Sequence, residues 1–319
     1  MCNFSSTNTS NKEYGTITKV VTIGIPITTI LVNIPAIILL IWIIARKEKA
    51  KNLHLLSIGF TDALVGISAY LMAETYLYTD KIFSYYDCWI RYYMFCLSFV
   101  ASMLHVLGIC AQRLKIVLGK TAIQSQENYR NFAWLVILVS WTLSIIINSI
   151  PFSIWSHDQD LRICGLEALF MGYERTIFFY IGTIYGIITL SVVITMSILS
   201  RLLWLRWKSN STNVWGYKDR RLFVTVCIMA VLFFVTITPL VCVLLSYDFL
   251  GDNKRSQRSA CVLISLLNSA INPIVYLYRI PEFRTILRKI LLCGRCTNTV
   301  HHHNSENRIT LSKQASTSL

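Results

Sequence analysis

The chain of 319 residues is 54% AVILMFWYC and only 14% charged, against about 25% charged residues in ordinary soluble domains, which excludes a pair of soluble domains and points to a membrane protein. Six prolines and 13 glycines exclude a disordered or collagen-like chain. The net charge of +14 requires a negatively charged neighbour: anionic lipid if the charges lie between apolar spans, nucleic acid if they do not. Ten cysteines are too few for a disulfide scaffold, and no two C-x2-C pairs stand at the spacing of a zinc site.

Residues 1–18 read as a polar N-terminal tail with two glycosylation acceptors, Asn3-Phe4-Ser5 and Asn8-Thr9-Ser10. No charged start followed by a small-residue cut site precedes the first apolar run, so that run is expected to act as an uncleaved targeting signal. A helix needs about 20 mostly apolar residues to cross hydrocarbon, because lipid satisfies no open backbone group. Seven segments qualify: 19–45, 53–78, 85–118, 132–155, 175–207, 219–247 and 258–279. Their joints are short and polar, so residues 19–279 form one all-α bundle of seven transmembrane helices. With the span ends beside them, the loops after spans 1, 3 and 5 and the C-terminal tail hold 21 of the 30 Lys and Arg, and the other side holds 9. The positive-inside rule places the N-terminus outside. Charge thus clusters between spans, and the neighbour is membrane lipid rather than nucleic acid.

An ionisable residue near the bilayer centre costs about 2.5–3.5 kcal/mol on insertion scales, and Asp62 stands midway along span 2. Span 7 offers Asn268, Ser269 and Asn272, with Asn268 and Asn272 on one helix face and Pro273 freeing a backbone carbonyl. Ser102 on span 3 adds a hydroxyl. Together these residues suit a hard monovalent cation, or hydrogen bonds between helices. Cys88 opens span 3 and Cys164 lies between spans 4 and 5, both on the oxidising side; a disulfide is allowed there, and free thiols remain the alternative. At the inner interface Arg113 ends span 3 and Asp219 begins span 6. An ion pair between them would form a two-state latch, whereas Arg113 alone would snorkel to lipid phosphate.

After span 7, residues 280–292 alternate apolar and basic positions at helical spacing, as in an amphipathic helix lying in the inner interface. Cys293 and Cys296 follow as palmitoylation candidates. Residues 293–319 read as a disordered cytoplasmic tail with several Ser and Thr, and Thr317-Ser318-Leu319 resembles a PDZ-domain ligand.

These features resemble the rhodopsin-like (class A) G-protein-coupled receptors. Asn33, Asp62, Cys88 with Cys164, Trp141, Pro239 and the run Asn272-Pro273-Ile274-Val275-Tyr276 carry the resemblance over roughly residues 19–292. It implies a multi-pass plasma-membrane receptor that binds an extracellular ligand, promotes nucleotide exchange on a heterotrimeric G protein and is no enzyme. It also implies arrestin recruitment by a phosphorylated tail. By the same resemblance Asp62, Ser102, Asn268, Ser269 and Asn272 line a sodium pocket, sodium being an allosteric modulator rather than a cofactor. Arg113 is then the inner latch, and Tyr276 swings toward it as span 6 moves. Gln112 replaces the usual acid before the latch arginine, leaving Asp219 to hold Arg113 alone. Ile237-Thr238-Pro239 lacks the usual tryptophan, so Phe233 carries the packing switch.

The implied ligand pocket opens outward, lined by Phe95, Cys96 and Phe99 on span 3 and by Leu240, Val241 and Leu244 on span 6. Phe95 stands where amine receptors carry aspartate. Glu74 on span 2 faces either a cationic ligand or Arg91, and the internal pair is preferred. An ion-coupled secondary transporter is the alternative from another class, since Asp62 and Asn272-Pro273 also suit a coupling-ion site; the repeated halves it requires are not visible.

Overall fold

A computed structural model describes residues 7–47, 53–77, 83–118, 126–156, 164–209, 215–246 and 254–279. They form helices α1 (Thr7–Lys47), α2 (Leu53–Leu77), α3 (Tyr85–Leu118), α4 (Gln126–Ile154), α5 (Leu166–Leu169), α6 (Glu174–Ser209), α7 (Trp215–Leu245) and α8 (Lys254–Arg279). Seven are the expected spans in order. The eighth, α5, is a single turn in the connection between the fourth and fifth spans, so those that follow are α6, α7 and α8. All described helices are long and apolar enough to cross a membrane except α5 and α7, and α7 has a described apolar run at Val231–Leu245. At about 1.5 Å per residue, the 31 residues of α7 still exceed a hydrocarbon core of about 30 Å.

Four helix starts precede the sequence reading by a turn or more: α4 begins at Gln126 rather than 132, α7 at Trp215 rather than 219, and the other two are the first and last helices. The first helix begins at Thr7 rather than at residue 19, because a helix nucleated by its apolar centre propagates at little cost through residues that contain no proline. The last begins at Lys254, one turn before residue 258.

The chain divides into two compact units, Met1–Ile274 and Val275–Leu319, and the packing described below lies within the first. Helix α3 is the axis: it packs against α2, α4, α5 and α6. Cys88, Tyr92, Phe95, Phe99, Met103, Val106 and Cys110 are buried along it at intervals of three and four, the spacing that keeps side chains on one helix face. Helices α1 and α4 instead turn large apolar side chains outward, among them Leu31, Ile38, Leu138 and Ile146. So large an exposed apolar surface would precipitate a protein in water and is the ordinary state of a helix facing lipid tails.

Hydrocarbon gives helices no hydrophobic reason to associate, so close backbone approach and buried hydrogen bonds must hold the bundle. On α3, a Cβ at Gly108 would stand 2.2 Å from Val136 Cγ1 of α4 and 3.1 Å from His54 Cε1 of α2. On α6, a Cβ at Gly182 would meet Leu244 and Leu245 of α7 at 3.0–3.1 Å. In the outer halves of α3 and α4, Tyr93 Oη and Ser149 Oγ lie 3.0 Å apart, and Tyr85 Oη donates to Ser156 Oγ at 2.9 Å. Tyr180 Oη of α6 donates to the Ile147 carbonyl of α4 at 2.9 Å.

Candidate functional site

The end that the charge pattern assigns to the outside is fastened three times. Cys88 and Cys164 form a disulfide with a Cα–Cα distance of 5.5 Å, and free cysteines among the described residues lie elsewhere. The bridge draws α5 inward, so that Leu169 and Phe170 are wholly buried and Phe170 packs edge-on against Phe152 at 5.1 Å. Arg258 of α8 pairs with Glu167 of α5 and lies 4.4 Å over the Phe178 ring of α6. Arg91 of α3 donates from Nη1 to Glu74 Oε2 at 2.9 Å and to the Leu71 carbonyl at 2.8 Å, and from Nε to Asp87 Oδ2 at 3.0 Å. Of the two partners left open for Glu74, the structure thus selects the internal one.

Inward of these fastenings the bundle is apolar. Phe95, Cys96, Phe99, Leu240 and Leu244 are buried in one continuous cluster, with Val241 packed against it. Phe95 stacks on Phe99 at 5.7 Å, and Phe99 meets Tyr185 of α6 at 5.2 Å. Phe233 and Leu266 belong to the same cluster, and Pro239 lies inside α7, where its missing N–H leaves a carbonyl one turn earlier without its helical donor.

Below the apolar zone stands a buried polar joint. Asp62 is fully buried; its Oδ1 accepts from Ser102 Oγ at 2.7 Å and its Oδ2 from Asn272 Nδ2 at 2.8 Å. One carboxylate therefore ties α2 to α3 and to α8. Asn33 extends the joint to α1 by donating from Nδ2 to the Thr29 and Ser269 carbonyls at 2.9 and 3.1 Å. Asn33 Oδ1 is buried without a hydrogen-bond partner among the described residues. Carboxylate, hydroxyl and amide oxygens are the donors a small hard cation takes, and the set around Asp62 has the chemistry that would fit sodium. Asn268 is buried beside it but makes no hydrogen bond to Asp62 among the described residues, since it stands one full turn earlier on α8. Asn33 was legible by the rule that singled out Asp62, a polar residue in the middle of a span, yet its contribution to the site was not assigned.

A second polar group, further inward, was missed altogether. His105 of α3 bonds Ser57 Oγ of α2 through Nε2 at 2.8 Å and the Ala101 carbonyl through Nδ1 at 2.6 Å. His54 of α2 packs edge-on against it at 5.6 Å, with both ring nitrogens buried and unbonded among the described residues. Gln112 is buried with its amide nitrogen unbonded, while the neighbouring Arg113 is half-buried. His105 inside span 3, and the spacing 105, 108, 112 on one face of α3 with glycine at its centre, signal this group in the sequence. The side chains of Asp219, Tyr276 and Asn8, together with Asn3 and residues 280–319 with Cys293, Cys296 and Thr317–Leu319, lie outside the described residues.

Comparison with known proteins follows the same lines. The family profile described as 7 transmembrane receptor (rhodopsin family) matches residues 32–276. Lysophosphatidic acid receptor 1-B of Xenopus laevis is 29% identical over 208 residues, 63% of this chain and 56% of that receptor; the chain thus spans little more than half the length of that relative. Lysophosphatidic acid receptor 1 of Bos taurus is 25% identical over 299 residues, 90% of this chain and 80% of its own. Lysophosphatidic acid receptor 3 of Mus musculus is 24% identical over 230 residues, covering 69% and 63% of the two chains.

Proposed function

Because the chain belongs to the rhodopsin family of seven-transmembrane receptors, a family of multi-pass plasma-membrane proteins that signal through heterotrimeric G proteins, we propose that it detects a single-chain amphiphile at its outer end and promotes nucleotide exchange at its inner end. The observation that carries this reading is the division of the bundle: ion pairs at the outer rim, an apolar shaft from Phe95 to Phe99 and Tyr185, then the buried Asp62 joint. A ligand with a polar head and one long apolar tail matches the first two layers. The relatives named as lysophosphatidic acid receptors support the same class. An ion-coupled transporter finds no support in these relatives, and the chain is not an enzyme.

The signal is carried by population shift. A ligand moves a two-state equilibrium only by its differential affinity for the two packings. The Asp62 joint couples four helices; Asp62, Ser102, Ser269, Asn272 and Asn33 would hold sodium there, and its charge would favour the packing in which these residues stay together. Sodium supplies charge to the buried carboxylate, and the chain's own residues supply the joint. At the inner end Arg113 pairs with Asp219 in the resting packing, and Tyr276 replaces that contact on activation. The N-terminus lies outside with Asn3 and Asn8 glycosylated. Residues 280–292 lie along the inner leaflet, with Cys293 and Cys296 palmitoylated. The tail binds arrestin when phosphorylated and a PDZ domain through Thr317–Leu319.

The direct test expresses the full chain in cells with sensors for several G-protein classes and applies single-chain lipids over a concentration series. Saturable sensor responses that vanish in untransfected cells are expected. Absence of a response to every single-chain lipid, with receptor present at the surface, contradicts the ligand class.

A further inference from the structure

We infer that Thr189 of α6 and Thr238 of α7 share a hydrogen bond in the signalling packing of the bundle and lack it in the packing described above, so that the pair positions α7 for activation. This rests on the population-shift reading above and names a contact that tells the two packings apart. Three contacts fix the register of α6 on α7. A Cβ at Gly182 would meet Leu244 and Leu245 at 3.0–3.1 Å, and one at Gly186 would stand 3.5 Å from Val241 Cγ1. Further along, Ser200 Oγ lies 3.7 Å from Cys227 Sγ. From the second contact to the third the chain advances 14 residues on α6 and retreats 14 on α7. Thr189 follows Gly186 by three residues and Thr238 precedes Val241 by three, so the two threonines face each other in this seam.

Both hydroxyls are buried without a hydrogen-bond partner among the described residues, and Thr189 as a whole is buried. A hydroxyl on a membrane helix ordinarily turns back onto the carbonyl one turn earlier. Ser191, Thr195 and Ser197 of α6 and Thr236 of α7 do so at 2.7–2.8 Å. Thr189 and Thr238 do not, and they are the pair that the register sets opposite one another. A polar group buried unpaired destabilises the packing that strands it. A packing that joins the two hydroxyls is therefore favoured by relief of both at once. Pro239 supplies the freedom to reach it. It follows Thr238 directly and lies inside α7, where its missing N–H leaves the Val235 carbonyl without a helical donor. The helix bends most readily at such a point, and a bend there moves Thr238 relative to α6.

The test places the purified full chain in nanodiscs and takes two measurements on the parent, Thr189→Val, Thr238→Val and the double variant. One is the melting temperature without G protein; the other is the concentration of nucleotide-free heterotrimer that gives half-maximal binding. Each valine removes a stranded hydroxyl from the described packing, so the melting temperature should rise in each single variant and further in the double. Heterotrimer binding reads the signalling packing. Each single variant should need about tenfold more heterotrimer than the parent, corresponding to about 1.4 kcal/mol. The double variant should need no more than a single one, because loss of either hydroxyl already abolishes the contact. Thr189→Ser and Thr238→Ser keep the hydroxyl and should bind as the parent does. Should a valine variant fail to reach the membrane, alanine at the same position takes its place in the binding measurement. Valine variants that bind like the parent, a double variant whose loss is the product of the single losses, serine variants that bind like the valines, or a melting temperature lowered by either valine overturn the inference and leave the G-protein coupling standing. A parent that binds no heterotrimer contradicts the coupling itself, and this inference with it.

Discussion

Among single residues Asp62 carries the most, because three helices meet on its two oxygens. Asp62→Ala leaves the Ser102 hydroxyl and the Asn272 amide without their acceptor, at a cost of about 1–3 kcal/mol for each group stranded in the core. We expect a lower melting temperature for the purified protein; an unchanged one would show that the joint bears no load. Asp62→Asn preserves volume and hydrogen bonding while removing the charge. In the parent, sodium should weaken agonist binding, and in Asp62→Asn it should have no effect; equal sodium responses in both would remove the cation from the site. Asp62, Ser102, Ser269 and Asn272 were readable because hydrocarbon tolerates polar side chains only with a reason. Asn268 satisfied the same criterion and lies outside the hydrogen-bonded set, since residues four apart share a helix face yet differ in depth by a full turn. His54 stands at a span start and reads as an interfacial residue, whereas His105 lies inside its span and was legible by the rule that singles out Asp62, although its partner Ser57 was not.

At the level of helices, the contacts that matter are those where backbone meets side chain. Gly108→Leu would drive its side chain into Val136 and the His54 ring, both less than 3.2 Å from a Cβ at that position, and should separate α3 from α4. We expect little of this variant to reach the cell surface in a quantitative immunoblot; wild-type levels would mean that α4 moves away freely. Gly186→Ala is the matched control. Its Cβ would stand 3.5 Å from Val241 Cγ1, an ordinary contact, so surface levels should be unchanged. The spans and their order were legible from apolar length alone, because a bilayer sets that length. Helix α5 was not, since a turn of four residues has no periodicity to read. What places it is the Cys88–Cys164 bridge, and a tryptic map of unreduced protein should return the two cysteines in one linked peptide, whereas alkylated Cys88 and Cys164 would show the strap to be absent.

For the molecule as a whole, the bundle is an inside-out solid: α3 is the most deeply buried of the described spans, while α1 and α4 show lipid many of their large apolar residues. Among the described residues the buried acidic, basic and histidine side chains stand at the outer rim, at Asp62 and at the two histidines, while the zone around Phe95, Phe99 and Tyr185 carries hydroxyls such as Ser98 but no charged side chain. This distribution, more than any single motif, supports the proposal of an apolar-tailed ligand over a small amine. The proposed latch between Arg113 and Asp219 belongs to this scale, since its release would change the balance between two packings of the entire bundle. Asp219→Ala should raise ligand-free signalling in a cell assay by removing the partner of Arg113; unchanged basal output would count against the latch. Transmission from one face of the membrane to the other is tested by placing the purified chain in nanodiscs with a heterotrimeric G protein and following GTP uptake with and without a single-chain amphiphile. Uptake accelerated by the lipid and abolished when the receptor is left out is the predicted result. A rate that stays at the receptor-free level for every heterotrimer and every lipid tried would contradict it.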